Sequence, residues 1–272
     1  MVSIKYGCCI LCSLLVMSSC KAQKSESNTQ EIIDTMSENI GMKGHGSPFD
    51  TAYLMGKFDP SKHQDFTLIP AQYRDEELRY IRKDVLGAFI KMFDSAAKDG
   101  IQLKIKSATR NFENQKRIWE NKWTGKTILE DNINAAKDIA SDIDRAKKIL
   151  SFSSMPGTSR HHWGTDMDLN NFTNEWFSHG EGLRLYDWLQ KNAADFGFCQ
   201  PYTKLGTDRN TGYFEEKWHW TYMPVSSELM LLAKATLTND MISGFLGSET
   251  AKEIDIVNNY ILAISPSCVL SE

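Results

Sequence analysis

The chain has 272 residues, room for one large domain or two small ones, and its 41% hydrophobic and 24% charged content is ordinary for a globular protein. A mean hydropathy of -0.40 excludes a protein of many membrane spans. A formal net charge of -4 provides no basic field to draw the chain onto nucleic acid, so no nucleic-acid partner is expected.

The amino terminus reads as an address. Lys5 precedes an apolar run from Tyr6 to Met17, and Ser18, Ser19 and Cys20 follow. The run is too short to span a bilayer, which takes about 18 apolar residues or more. A positive start, a short apolar stretch and small residues before a cut site describe a secretory signal. The end of this segment resembles the bacterial lipobox, with Met17 in place of the usual Leu. That resemblance implies a signal over residues 1–19, lipidation of Cys20, and an exported lipoprotein anchored to a membrane and facing the periplasm or the cell exterior. The polar stretch after Cys20 reads as a flexible tether over 20–49, with room for a short amphipathic helix from Glu31 to Ile40. Residues 50–272 then form one domain. Cys8, Cys9 and Cys12 leave with the signal, so only Cys199 and Cys268 remain as thiols. They lack C-x-x-C spacing; in an oxidising compartment they either pair or stay as two separate buried thiols.

Within the domain, Val85, Phe89, Met92 and Ala96 recur at helical spacing and predict a helix over Lys83 to Lys98, stopped by Gly100. Ile101 to Ser107 alternates as a strand. Asn111 caps a helix carrying Phe112, Gln115, Ile118 and Trp119. Ile133 to Leu150 reads as one helix with Ala136, Ile139, Ala140, Ile143 and Ala146 as its buried stripe. A Ser/Pro/Gly loop from Ser151 to Ser159 precedes a short strand over Thr165 to Leu169. A helix from Leu183 to Ala194, a turn at Gly197 and a strand over Trp218 to Met223 follow. Two helices, Ser227 to Thr236 and Ala251 to Ile264, close the chain. Helices with a few scattered strands indicate an α+β domain around a small, largely antiparallel sheet.

Two segments concentrate metal-ligating chemistry. Ser159 to Asp168 holds His161, His162, Asp166 and Asp168, and Glu215-Glu216-Lys217-Trp218-His219 follows later. Imidazole and carboxylate are zinc ligands, and a catalytic zinc keeps three of them plus a water. Gly164 allows a turn that lets His161 and Asp168 converge on one ion. Asp166 and Asp168 share one strand face, so spacing alone does not separate them. On a straight strand Glu216 and His219 point to opposite faces, so sharing a site requires a bend before Trp218.

These segments resemble the VanY-type D-alanyl-D-alanine carboxypeptidases, within the zinc fold group of lysostaphin, the D-Ala-D-Ala metallopeptidases and hedgehog. Ser-x-His-x-x-Gly-x-x-x-Asp is met by Ser159, His161, Gly164 and Asp168, and Glu-x-Trp-His by Glu216, Trp218 and His219. An upstream Ser-x-x-Arg…Gln element is met by Ser107, Arg110 and Gln115, and Phe196-Gly197-Phe198 precedes the second motif. The resemblance covers roughly Leu78 to Met223. Asp166 stands where many relatives have Ala, and Thr158 where an aromatic is common. The resemblance implies one Zn2+ held by His161, Asp168 and His219, with Glu216 as general base, Arg110 stabilising the oxyanion, and Gln115 and Ser159 binding the peptide or its terminal carboxylate. The implied substrate is a peptidoglycan stem peptide ending in D-Ala-D-Ala. An endopeptidase or D,D-dipeptidase on the same scaffold is the enzymatic alternative. A wall-binding lipoprotein with a structural metal is the other, and the intact Glu216 argues against it.

Overall fold

The computed structural model describes Met1 and residues 49–269, and the latter fall in one compact unit. The expected signal, Cys20, the tether before residue 49 and the helix from Glu31 to Ile40 lie outside the described residues. Among the described residues no helix is long and apolar enough to cross a membrane.

A two-stranded ribbon, β1 (Phe66–Leu68) and β2 (Tyr80–Arg82), leads into α1 (Lys83–Lys98). The expected stripe of α1, Val85, Phe89, Met92 and Ala96, is buried, and the chain reverses through Gly100 at φ 73. The main sheet has the order β3 (Ile105–Ser107), β4 (Asp166–Leu169), β6 (His219–Tyr222), β5 (Phe198–Cys199), all antiparallel. The fold is therefore α+β around small antiparallel sheets. Strand alternation gives the main sheet two unlike faces. Met167, Leu169 and Trp220 join the core formed with α1 and with α4 (Gly180–Asn192). Asp166, Asp168, His219 and Thr221 occupy the other face, and all four are buried.

Four sequence expectations change. The strand expected over Ile101 to Ser107 pairs only across Ile105–Ser107, although Leu103 and Ile105 are buried as the alternation required. The helix expected over Ile133 to Leu150 is two, Ala135–Asp138 and α3 (Asp142–Ile149). Asn134 and Ser141 each cap a new start, accepting from Lys137 N and Asp144 N, and Ile139 is extended between them. Polar caps offer the backbone an alternative to continuing a helix. Ala136 and Ala140 are consequently exposed and Ile143 half-buried, while Ala135, Ala146 and Ile149 are buried. The last helix breaks after Ile254 because Asp255 turns left-handed at φ 51, and Val257–Ile261 forms a separate turn. The helix expected from Ser227 starts earlier, as α5 (Met223–Thr236), with Pro224 in its first turn, where its missing N–H costs nothing.

The tail after α5 returns over α2 (Phe112–Trp123) and ends beside β5, where Cys199 and Cys268 form a disulfide with Cα atoms 5.4 Å apart. Of the two states left open for these cysteines, the structure holds the paired one.

Candidate metal centre and cleft

Three elements converge on the polar face of the sheet. β4 and β6 place Asp168 directly opposite His219 and Asp166 opposite Thr221. A short 3-10 turn, Arg160–Trp163, delivers His161 from the side. Gly164 ends that turn at φ 74, and a Cβ there would lie 2.4 Å from the Phe66 ring, so both conformation and packing require glycine. The expected bend before Trp218 is present: Lys217 and Trp218 form a turn in which His219 N donates to Glu216 O at 3.2 Å. It brings Glu216 Oε2 to 3.2 Å from His219 Nδ1.

His161 Nε2 stands 3.3 Å from Asp168 Oδ2, and His219 Nδ1 stands 3.2 Å from Asp168 Oδ1. One ligand atom from each of the three residues lies within 4.8 Å of the others, so the group could hold a metal ion. The hydrogen bonds agree. His161 Nε2 and Asp168 Oδ1 are buried without a hydrogen-bond partner. The remaining ring nitrogens are engaged: His161 Nδ1 with Ala108 O at 2.9 Å, and His219 Nε2 with Asp166 Oδ2 at 2.8 Å. Each ring is thus oriented from behind with its other nitrogen turned toward Asp168, an arrangement like that of metal-bound histidines.

The electrostatics of His161 and Asp168 point the same way. Burial and the Arg110 charge lower the His161 pKa to about 4, which keeps its lone pair available. Burial disfavours the Asp168 carboxylate, but His161 and His219 hold it well below the usual range. Burial alone would lower His219, yet hydrogen bonds to Asp166, Asp168 and Glu216 carry it well above its ordinary value. Burial raises Glu216, as befits a carboxyl that must both take and give a proton.

Asp166 anchors a second layer that the sequence only hinted at. Its Oδ1 accepts from Thr165 and Thr221, each at 2.7 Å, and its Oδ2 accepts from Arg160 Nε at 3.0 Å as well as from His219. Arg160 is fully buried, donates to Thr221 Oγ1 at 2.9 Å and covers the Trp163 ring. Beside a histidine pair, this arginine gave no sequence signal of its own. His162 is buried too and both its ring nitrogens are engaged outside that group, with Nδ1 2.6 Å from Arg110 O and Nε2 accepting from Gly157 N at 3.0 Å.

The centre opens into a cleft of about 900 Å³ lined by His161, Asp168, Glu216 and Arg110. Arg110 is half-buried, its N donates to His161 O at 3.2 Å, and its Nε is buried without a partner. Trp218 and Phe152 form an aromatic wall with ring centroids 6.2 Å apart. Gln115 and Ser159 are not among the lining residues. Both are buried, and Gln115 Nε2 is committed to Ser154 O at 2.7 Å. Asn174 and Lys122 are among the lining residues that went unread in the sequence. Asn174 clamps the Glu216 turn by donating to Glu215 O and accepting from Lys217 N. Lys122, at the end of α2, donates to Ser153 Oγ at 2.6 Å. An isolated Asn in a polar loop and a Lys on a helix carry no motif.

Residues 78–225 match the pattern of the VanY family, described as D-alanyl-D-alanine carboxypeptidase. A D-alanyl-D-alanine carboxypeptidase of Enterococcus faecalis is 31% identical over 165 residues, covering 58% of this chain and 56% of that one. YodJ of Bacillus subtilis is 30% identical over 175 residues, covering 62% and 56%. The chain spans about half the length of these curated relatives. Among solved structures, VanYB in complex with D-alanine-D-alanine is 26% identical, with a TM-score of 0.44 over 64% of this chain and 92% of that one. The LdcB LD-carboxypeptidase is 24% identical, with a TM-score of 0.48 over 72% and 79%.

Proposed function

Because the chain belongs to the VanY family of D-alanyl-D-alanine carboxypeptidases, we propose that it is a zinc peptidase that removes the terminal D-Ala from peptidoglycan stem peptides. One observation carries this reading. Glu216 sits 3.2 Å from a ring nitrogen of His219, beside the His161, Asp168 and His219 set, in the wall of an open cleft. A purely structural metal needs no such carboxylate.

The donor set suits zinc. Tetrahedral bonds of about 2.0–2.1 Å place neighbouring ligand atoms roughly 3.3–3.4 Å apart, and the closest donor pairs here are 3.3 and 3.2 Å apart. Zinc, when bound, supplies Lewis acidity that polarises a carbonyl and lowers the pKa of water. The rest falls to the chain. Glu216 takes the proton of the attacking water at its carboxylate and delivers it to the nitrogen of the leaving D-Ala. Arg110, held by its backbone bond to His161, offers a permanently charged guanidinium to the carbonyl oxygen as that oxygen gains charge. Asp166 fixes the tautomer of His219 by accepting from Nε2.

The reading includes export and lipidation at Cys20, which would hold the domain at a membrane near its substrate. A Cys20→Ala form should leave the membrane fraction, and equal retention would refute the anchor. The activity is tested by mass analysis of muropeptides after incubation with zinc-loaded protein. Loss of one alanine is expected. Loss of two, or opening of a cross-bridge, would reassign it as a dipeptidase or an endopeptidase, and no change would refute the hydrolase reading.

A further inference from the structure

The metal ligands and the proposed base are held by different means. Asp168 and His219 lie in register on β4 and β6, so the sheet ladder fixes them. Glu216 lies outside that ladder, in the segment that leads from β5 to β6. Backbone without a ladder still needs partners for its polar groups. Here side chains take that part. Asn174 Nδ2 donates to Glu215 O at 2.7 Å, and Asn174 Oδ1 accepts from Lys217 N at 3.1 Å. Gln200 Nε2 donates to Glu216 O at 3.2 Å, and Trp220 Nε1 donates to Lys217 O at 3.1 Å. Glu216 N donates to Tyr202 O at 3.0 Å, and Gln200 Nε2 donates to that same oxygen at 3.1 Å.

Topology explains how two amides reach one turn. β6 runs between β4 and β5 and is antiparallel to both, so the ends of β4 and β5 flank the point where the chain enters β6. Asn174 stands in the loop after β4, and Gln200 directly follows β5. Gln200 is buried, and its hydrogen-bonding capacity is used in full. Besides its two donations, its Oε1 accepts from Tyr186 Oη at 2.9 Å and from Gln190 Nε2 at 2.7 Å. A flipped amide would set its oxygen against two carbonyls, so one orientation is enforced. Tyr186 and Gln190 belong to α4, and the Glu216 turn is thereby tied through Gln200 to a helix of the core.

Building on the proposed peptidase activity, we infer that Asn174 and Gln200 are positioning residues for Glu216: together they fix the turn that sets its carboxylate 3.2 Å from His219 Nδ1. A base moves a proton only within hydrogen-bond reach, and a misplacement of about 1 Å can cost about 10²-fold in rate. The ligands keep their ladder when the clamp is lost, so the loss should appear in kcat, with KM and zinc affinity unchanged. Gln200 does not line the cleft and cannot act by touching substrate, whereas Asn174 does line it.

The test is a double-mutant cycle. Asn174→Ala and Gln200→Leu are each made in the zinc-loaded parent and in Glu216→Gln, and kcat and KM are measured on a peptide ending in D-Ala-D-Ala. Zinc affinity is read by chelator competition, and thermal unfolding checks the folded fraction. In the parent each change should lower kcat about 10- to 100-fold. In Glu216→Gln neither should lower the residual kcat further, because both act only through that carboxylate. Asn174 is half-buried in a loop, so Asn174→Ala decides the matter even where Gln200→Leu does not fold. Equal losses in both backgrounds would make the amides general supports of the fold and overturn the inference. Weakened zinc would do the same, because the amides would then hold the ligands. So would a rise in KM with kcat intact in Asn174→Ala, which would make Asn174 a substrate contact, or parental kinetics in both variants. A parent that leaves the peptide uncut would remove the peptidase reading and the clamp with it; the other adverse results refute the clamp alone.

Discussion

The floor of the cleft and the carboxy-terminal tail are built on opposite principles. The floor is a set of buried polar side chains, each aligned by another: Ala108 O on His161, Asp166 on His219, and Arg160 with two threonines on Asp166. The tail is held largely through its backbone and by apolar contact. Trp119 Nε1 donates to Leu246 O, Lys116 Nζ to Gly244 O, and Ser265 N to Pro201 O, while Phe245 packs edge-on to Trp119. Gly247 lies so close to Trp123 that a Cβ would fall 2.4 Å from the ring. Side-chain identity is critical in the floor, because an unpaired buried polar group costs more than a hydrogen bond gains. In the tail, backbone path and one covalent link carry the load. The first arrangement serves chemistry and the second serves stability.

The sharpest way to break this contrast is at Glu216. Glu216→Gln should retain a full equivalent of zinc and lower kcat by about 10² to 10⁴, the range for general acid–base catalysis. Steady-state kinetics with metal analysis checks this, and near-parental turnover would move the base role elsewhere. Next comes the disulfide, which closes a span of 69 residues. Replacing both cysteines by serine should cost about 2–5 kcal/mol in denaturant unfolding. Zinc content and kcat of the folded fraction should not change; a loss of either would show that the tail supports the floor. Arg110→Ala should lower kcat and kcat/KM together by roughly 10², the scale for one oxyanion donor. A rise in KM alone would instead make Arg110 a substrate anchor. The smallest effect is expected at Asp166. Asp166→Ala should weaken zinc by about 10- to 100-fold in a chelator competition, as for other partners behind metal ligands. Unchanged affinity would mean that the strand backbone alone orients His219.

The same contrast explains what the sequence made legible. The floor is short-range. His161, Gly164 and Asp168 fall within eight residues, Glu216 and His219 within four, and strand alternation predicts their faces. Even the bend before Trp218 follows from requiring Glu216 and His219 to meet. Asp166 was visible as a carboxylate on the ligand face, but its partner Arg160 was not, since only tertiary folding buries an arginine there. Lys122 and Asn174 reach the cleft through contacts 31 and 43 residues away in the chain. No local period encodes such contacts. The split of the expected helix at Ile133 to Leu150 could have been anticipated, because Asn134 and Ser141 are both strong caps. The tail was opaque because the α2 side chains that hold it bond to its backbone groups, which every residue possesses.

The paired histidines bear on how such an enzyme can diversify. His161 and His162 each bind a backbone oxygen of the strand-to-helix connection, at Ala108 and Arg110, and Arg110 N binds back to His161 O. A proposed metal ligand and the proposed oxyanion donor are thereby riveted together. The cleft walls at the end of α2 and in the loop bearing Ser153 lie outside these contacts. Substitutions there can retune which peptide is accepted without moving the reactive groups against one another. The fold thus keeps the proposed reactive groups on one braced set of backbone contacts and the remaining cleft walls on separate segments.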